Sequence, residues 1–364
     1  MTDAADGFNA LAEAVVATGA MVRDPERGRS GSAEADGYAY GTELLRLALN
    51  LYVDADGADP RFVPFSTPTP YHAGLLSIPR IQGGVNPDGL YDFAVLEPGE
   101  SYRISGRRGN DCYFSLSFSG GRPGEWPDRT AATLNDRQIK FEADGAFEVM
   151  VSPQRPEGVE QNWVGMEPDM SSVIVRQYFL VPPSLRVPGT LSIELLSEPG
   201  LPGAARISRR LRAAAAFIRS TNEHFPFRAG PPPNTFSDPL GYEGTSGALG
   251  TTDNVYCMGR WRLEPGERLL VTTTPVPCGY WSLQAWNWWG QSLAHSFDDA
   301  TYDRQIANNS NTVHNADGSV TITLSDTDSG QPNWLDTNGW TEGTLIFRYL
   351  YPEAKPERPH CALG

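Results

Sequence analysis

The sequence predicts a mainly β chain: two tandem β-sandwich-like (jelly-roll-like) units from an internal duplication, with a helical segment at the start and a helix linking the units. Three observations carry this. From residue 86 onward, short alternating apolar runs are broken by Gly, Pro and Asp-Gly, the period of half-buried strands. Gly (37) and Pro (30) are abundant in the 364 residues, as a fold with many tight turns requires. The second half also repeats the first. Tyr113-Phe114-Ser115-Leu116 returns as Tyr280-Trp281-Ser282-Leu283, Leu96-Glu97-Pro98-Gly99-Glu100 as Leu263-Glu264-Pro265-Gly266-Glu267, and Asp136-Arg137-Gln138-Ile139 as Asp303-Arg304-Gln305-Ile306, all at an offset of 167 residues. Asp88/Tyr91 and Asp253/Tyr256, Asp144-Gly145 and Asp317-Gly318, Asn162-Trp163 and Asn333-Trp334, and Arg176 and Arg348 follow in order at slightly different offsets. Insertions between strands produce that drift.

Residues 1–60 form the helical segment. Phe8, Leu11, Val15, Val16, Met21 and Val22 recur at helical spacing, and a second helix runs from about Tyr40 to Val53 behind Leu44, Leu45, Ala48 and Leu51. The polar stretch 24–37 reads as a loop, and Asp54, Asp56 and Asp59 as a solvated turn, because the rest of a calcium loop is missing. Residues 61–200 form the first β unit, with strands at 102–105, 113–118, 147–151 and 173–180. Residues 201–250 form the linking helix and a loop: the helix spans 204–225, with Ile207, Leu211, Ala214, Ala215 and Ile218 on one face, and a stretch rich in Gly, Pro and Ser follows it. The arginines of the helix, Arg206, Arg209, Arg210, Arg212 and Arg219, suit either a subunit or domain contact or a solvated basic face. Residues 251–364 form the second β unit.

The net charge of −15 opposes binding to nucleic acid, which needs a basic footprint, and to an anionic membrane surface. No stretch approaches the apolar length of a membrane span. Cys112, Cys257, Cys278 and Cys361 form no C-x-x-C pair and the N-terminus has no signal-like run, so a reduced, cytoplasmic protein is expected.

With these residues in view, the sequence resembles the DUF1214 family, whose members often pair that domain with a DUF1254 domain. The second copy carries the resemblance through D-N-V-Y at 253–256, Y-W-S-L-Q at 280–284, H-N-A-D-G-S-V at 314–320, N-W-L-D-T at 333–337 and L-I-F-R-Y at 345–349. The first copy adds N-P-D-G-L-Y at 86–91 and Y-R-I-S-G-R-R-G at 102–109. The resemblance implies a β-sandwich-rich fold, sometimes as homo-oligomers, and no activity.

Site candidates therefore rest on chemistry. Residues kept in both copies belong first to the fold; those in one copy are freer for function. Asp253 with Tyr256, and Asp88 with Tyr91, place a carboxylate and a phenol three apart at the mouth of a strand, an acid/base pair in the functional reading and a turn cap with a packed ring in the structural one. Trp281, Trp286, Trp288 and Trp289 crowd into residues 280–292. With Trp334, His295 and His314 they are the candidates for contacting a ligand, since flat indoles bind sugar rings and apolar skeletons alike. On alternation, Trp286 and Trp288 share one face and Trp289 the other. His72, His224, His295, His314 and His360 lack metal-ligand spacing, and neither a P-loop, a dinucleotide fingerprint nor G-x-S-x-G is present. No metal or cofactor is expected. The leading expectation is a cofactor-free hydrolase or lyase for an apolar or ring-containing small molecule, with its pocket between the Trp286/Trp288 face and residues 230–250. The rival is a non-catalytic ligand- or glycan-binding scaffold with an aromatic platform.

Overall fold

The computed structural model of the chain describes residues 3–28, 32–66, 86–197, 203–226, 230–242, 250–293 and 299–364. The chain divides into two compact units. One comprises Met1–Ser66, Leu90–Tyr178 and Val187–His224; the other comprises Thr67–Gly89, Phe179–Arg186 and Phe225–Gly364.

In the first unit, β1 (Val63–Ser66), β2 (Gly89–Val95), β4 (Tyr113–Gly120), β5 (Arg129–Asn135) and β8 (Met170–Tyr178) form a sheet of order β1-β2-β8-β4-β5. With β3 (Tyr102–Arg107), β6 (Ala146–Ser152), β7 (Trp163–Gly165) and β9 (Thr190–Leu195) a second sheet has the order β7-β6-β3-β9. The core lies between them: Phe114, Leu116, Phe118, Val173 and Val175 meet Ile104, Phe147, Val149 and Val151.

The second unit repeats this arrangement strand for strand. One sheet has the order β10 (Thr235–Phe236), β11 (Asn254–Arg262), β17 (Glu342–Leu350), β13 (Tyr280–Asn287), β14 (Ile306–Asn308). The other has the order β16 (Trp334–Asp336), β15 (Val320–Ser325), β12 (Leu269–Thr273), β18 (His360–Leu363). Cys257, Trp281, Leu283, Ala285, Leu345 and Phe347 pack on Leu269, Val271, Ile322 and Leu324. The expected pair of tandem sandwiches is the observed fold.

Side chains repeat as well as strands. Asn162 and Asn333 both adopt positive φ, 52° and 58°, a conformation Asn tolerates better than most residues. Each folds its amide onto a loop: Asn162 takes Lys140 N and donates to Lys140 O, and Asn333 does the same with Val313. The following indoles, Trp163 and Trp334, each donate to a serine hydroxyl at 3.0 Å, that of Ser152 or Ser325. Gly99 and Gly266 bend the two Leu-Glu-Pro-Gly-Glu turns at φ 87° and 83°.

One repeat is corrected. Asp136–Ile139 follows β5, whereas Asp303–Ile306 precedes and enters β14, so the matching letters are not equivalent positions. The equivalence runs through Asn135 and Asn308. Ser115 pairs with Asn135 and Ser282 with Asn308, and each asparagine N–H is taken by a side-chain amide three residues on, that of Gln138 or Asn311.

The three α-helices among the described residues, α1 (Asp3–Val22), α2 (Ser32–Tyr52) and α3 (Gly203–His224), belong to the first unit, with α1 and α2 both packed on α3. Leu11, Ala14, Thr18 and Val22 form the buried stripe of α1. Rings of Tyr52 and Phe217 meet Phe65 and Phe93 on the outer face of the five-stranded sheet. α2 begins at Ser32 rather than near Tyr40, taking in part of the expected loop; Ala33, Glu34 and Ala35 are good helix formers, and burial of Tyr40 and Leu44 draws the helix back. The Asp54–Asp59 turn is not simply solvated either. Asp56 is buried, with Arg206 Nε at 2.6 Å and Arg210 Nε at 2.7 Å, while Arg209 reaches Glu97 at 2.6 Å. Three arginines of the basic helix thus have partners inside the first unit.

Candidate functional site

Inward residues of β13 (Trp281, Leu283, Ala285) fill the second sandwich, so Tyr280, Ser282, Gln284 and Trp286 lie on the outer face of its five-stranded sheet. Register places Tyr256, Arg348, Ser282 and Asn308 in one row across β11, β17, β13 and β14. Arg348, Ser282 and Asn308 are buried, and the Arg348 guanidinium stands over the Tyr256 ring at 5.6 Å. A row this polar on a buried face must be satisfied internally.

Asp88 meets that row at Asn308. Its side chain has no solvent exposure. One oxygen accepts from Tyr280 Oη at 2.6 Å and Asn308 Nδ2 at 2.8 Å; the other accepts from Tyr302 Oη and faces Arg186 Nη2 at 3.5 Å. Asn86 Nδ2 adds a bond to Tyr280 Oη at 2.8 Å. Arg186 is anchored on Pro87 O at 2.9 Å and stands over the rings of Tyr302 (5.4 Å) and Phe179 (5.7 Å). All of these residues belong to the second unit. Burial pushes the Asp88 carboxyl above its usual range, opposed by the Arg186 charge and the hydrogen bonds it accepts. Burial and the Asp88 charge raise both phenols, so Tyr280 and Tyr302 stay protonated and donate.

The pairs expected from spacing are distributed differently. Asp88 takes Tyr280 and Tyr302 as partners, whereas Tyr91 belongs to the first unit, with its ring 6.2 Å from that of Tyr178. Asp253 accepts from Thr251 Oγ1 at 3.3 Å, and Tyr256 Oη accepts from Asn254 Nδ2 at 3.0 Å. Tyr302 and Arg186 were not singled out by any sequence signal. Asp88 itself was a candidate only through its spacing to Tyr91, and its phenols lie 192 and 214 residues away.

The tryptophan cluster is corrected in two respects. β13 ends at Asn287, so Trp288 and Trp289 sit in a turn rather than alternating along a strand. Asn287 Oδ1 caps that turn by accepting from Trp289 N (2.9 Å) and Gln291 N (3.0 Å), with Gly290 at φ 72°. Nor do the indoles form an exposed platform: Trp281, Trp286, Trp288 and Trp289 are 4%, 1%, 7% and 0% exposed. Trp281 stacks on Phe347 in the core at 5.4 Å. Trp334 repeats the placement of Trp163 and belongs to the fold. His314 is exposed in its hairpin, with Nδ1 3.2 Å from Gly318 O. His295 lies outside the described residues. Among the described residues, no three His, Cys, Asp or Glu side chains converge as metal ligands.

A family model described as "Protein of unknown function (DUF1214)" matches the chain twice, over residues 93–180 and 264–354. Among solved structures, an uncharacterised protein from Burkholderia cenocepacia aligns with TM-score 0.82 at 27% identity, covering 98% of this chain and 96% of that one. The VPA0106 protein from Vibrio parahaemolyticus aligns at TM-score 0.47 and 11% identity, covering 77% and 90%. No curated protein sequence matches.

Proposed function

We propose, for a chain that belongs to the DUF1214 family through both of its halves, a cofactor-free acid/base enzyme of hydrolase or lyase type acting on an apolar or ring-containing small molecule. One observation carries the reading: a buried carboxylate, Asp88, held between two phenols and an arginine. Strongly perturbed ionisation at a convergent cluster is the signature of proton-transfer sites. In this reading Tyr302 is the phenol that meets the substrate. The step starts from the form with Asp88 protonated, which its raised pKa favours: Tyr302 gives its proton to the developing anion, the Asp88 carboxyl passes its own to the Tyr302 oxygen, and the carboxylate that accepts from both phenols is left, to be reprotonated from solvent. Arg186 and Asn308 stabilise the ionised intermediate state. Asp253 and Tyr256 recede to the edge of the site.

The test is to screen small ring-bearing esters, lactones and hydroxy compounds for turnover, then assay Asp88→Asn and Tyr302→Phe. Both are expected to lose at least 10²-fold in kcat. If both fold and retain full turnover, the assignment fails.

A second reading is favoured by a specific observation: each Asp88 oxygen already has a donor, as in a polar knot built only to hold chain segments. A non-catalytic binding or scaffold protein would then show a large loss of Tm in the same variants and no turnover to lose. The expected setting is the reducing cytoplasm, in keeping with four free thiols. No helix among the described residues is long and apolar enough to cross a membrane. Homo-oligomer formation is part of the proposal, to be read from light scattering at micromolar concentration.

A further inference from the structure

Asp88 has a phenol on each carboxylate oxygen, yet the two sides of the cluster are not equivalent. Two asparagines set the direction of its hydrogen bonds. Asn86 Oδ1 takes the backbone N–H of Asp88 at 3.1 Å, which turns the other end of its amide, Nδ2, to Tyr280 Oη at 2.8 Å. Asn308 Oδ1 takes the N–H of Ser310 at 2.8 Å, which turns its Nδ2 to Asp88 Oδ2 at 2.8 Å and Tyr302 Oη at 2.9 Å. A backbone N–H only donates, so each of these bonds fixes which end of the amide is the oxygen.

The oxygens of Asp88 are then loaded unequally. Oδ2 accepts from Tyr280 at 2.6 Å and from Asn308 at 2.8 Å. Among the described residues, Oδ1 accepts one hydrogen bond, from Tyr302, and has Arg186 Nη2 at 3.5 Å without a hydrogen bond between them. A carboxyl oxygen that already receives two donors cannot carry a proton without losing one of them. The proton of the neutral carboxyl therefore belongs on Oδ1. The Arg186 charge opposes that proton, but with no hydrogen bond to Oδ1 it leaves the position open. From Oδ1 the phenol in line is Tyr302. On the other side, Tyr280 accepts from Asn86 and gives its own proton to Oδ2.

We propose that Asn86 is a positioning residue for this proton transfer: by giving its N–H to Tyr280 it holds that phenol as a fixed donor to Asp88 Oδ2 and confines proton exchange to Oδ1 and Tyr302. This role presupposes the acid/base reading of the cluster. In the step, the Oδ1–H bond breaks as the Tyr302 oxygen gains that proton and loses its own to the substrate, while Tyr280 keeps its proton throughout. The charged and titratable groups that bear on Asp88 are Arg186, Tyr280 and Tyr302, with Arg348 acting on Tyr280.

The experiment compares Asn86→Ser, Tyr280→Phe and the double variant in the full chain. Asn86→Ser keeps an oxygen for the Asp88 N–H, as in a serine turn, but is too short to reach Tyr280. Carbon NMR of the labelled Asp88 carboxyl, followed across pH, needs no substrate. Tyr280→Phe removes a donor that favours the charged form, so the Asp88 titration should move to higher pH than in wild type. Asn86→Ser should move it less, because it only weakens the same donor, and should add nothing once residue 280 is Phe. An Asn86 that serves only the turn would move the titration in neither background, or by the same amount in both. With a turned-over compound, Tyr280→Phe should keep kcat within about tenfold of wild type, against the loss of about 10²-fold expected for Tyr302→Phe. Should Asn86→Ser not fold, the turnover of these two phenol variants decides. The proposal is overturned if Asn86→Ser titrates as wild type does, if it shifts the titration equally with and without the Tyr280 hydroxyl, or if Tyr280→Phe loses as much turnover as Tyr302→Phe. Full turnover in both Asp88→Asn and Tyr302→Phe would instead overturn the acid/base reading itself, and the role of Asn86 with it.

Discussion

Asn135 and Asn308 end equivalent strands with the same turn. Each takes a backbone N–H two residues on with its side-chain oxygen, that of Arg137 or Ser310. Only Asn308 also donates to Asp88 and Tyr302, at 2.8 and 2.9 Å. Asn308→Ala should therefore destabilise the protein by about 2–4 kcal/mol, since it uncaps a turn and strips donors from a buried carboxylate. Asn308→Asp makes a sharper prediction. It sets a second carboxyl against Asp88, and the two cannot both ionise without repulsion. Relative to wild type, its Tm should fall as pH rises from about 5 to 8, a slope Asn308→Ala lacks.

Asp88→Ala and Asp88→Asn should separate charge from hydrogen bonding. The alanine leaves Arg186, Tyr280, Tyr302 and Asn308 facing a gap, and breaking such a buried pair costs about 3–5 kcal/mol. The asparagine keeps an acceptor and should cost less than half of that. Thermal unfolding followed by near-ultraviolet dichroism measures both. Equal losses in the two variants would show that the negative charge itself holds the cluster.

Much of this was legible in the sequence because the signals were local. Alternation marked β4 and β8, Pro-Gly and Asp-Gly marked turns, and the Asn-Trp repeat marked a side-chain clamp that recurs bond for bond. What misled was an exact string match. Asp136–Ile139 and Asp303–Ile306 share letters and offset but flank their strands on opposite sides, and they hid the equivalence of Asn135 with Asn308. The Asp88 site was half visible: spacing nominated the carboxylate but paired it with Tyr91, whereas its phenols, Tyr280 and Tyr302, lie in another part of the chain. The tryptophans were misread for a related reason. Periodicity assigns a side chain to a face, but only the packing of neighbouring segments decides whether that face meets water.

Asp92, on β2, shares a side of the sheet with Ala94 of the core. Burial pushes its carboxyl up to about 6. A carboxyl raised on folding stabilises the fold while it is protonated, so its favourable contribution is complete below the unfolded value of about 3.9 and is lost as pH rises to about 6. Asp92→Asn should then raise stability at pH 7 by about 1–2 kcal/mol and change it little at pH 4. Urea denaturation at the two pH values checks this. A variant no more stable than wild type at pH 7 would show that the carboxylate is better solvated than its position implies.

Asp56 should behave in the opposite sense. Burial alone would raise its carboxyl, but hydrogen bonds and charge from Arg206 and Arg210 outweigh that and hold it well below the usual carboxylate range. A group depressed on folding contributes stability that is fully present above its unfolded pKa and lost as pH falls toward the folded value. The Asp56 contribution should therefore be constant from pH 7 to about 4 and fade only at lower pH. Asp56→Asn should lower Tm by several degrees at pH 7, leaving Arg206 and Arg210 of α3 facing a neutral amide, and the gap from wild type should close in strong acid. Arg210→Gln tests the same coupling from the other side: it should lose less than Asp56→Asn, because Arg206 still meets both carboxylate oxygens, at 2.6 and 2.8 Å. If the two variants lose equally, the helix is held by the pair with Arg210 rather than by the carboxylate as the shared centre of both arginines.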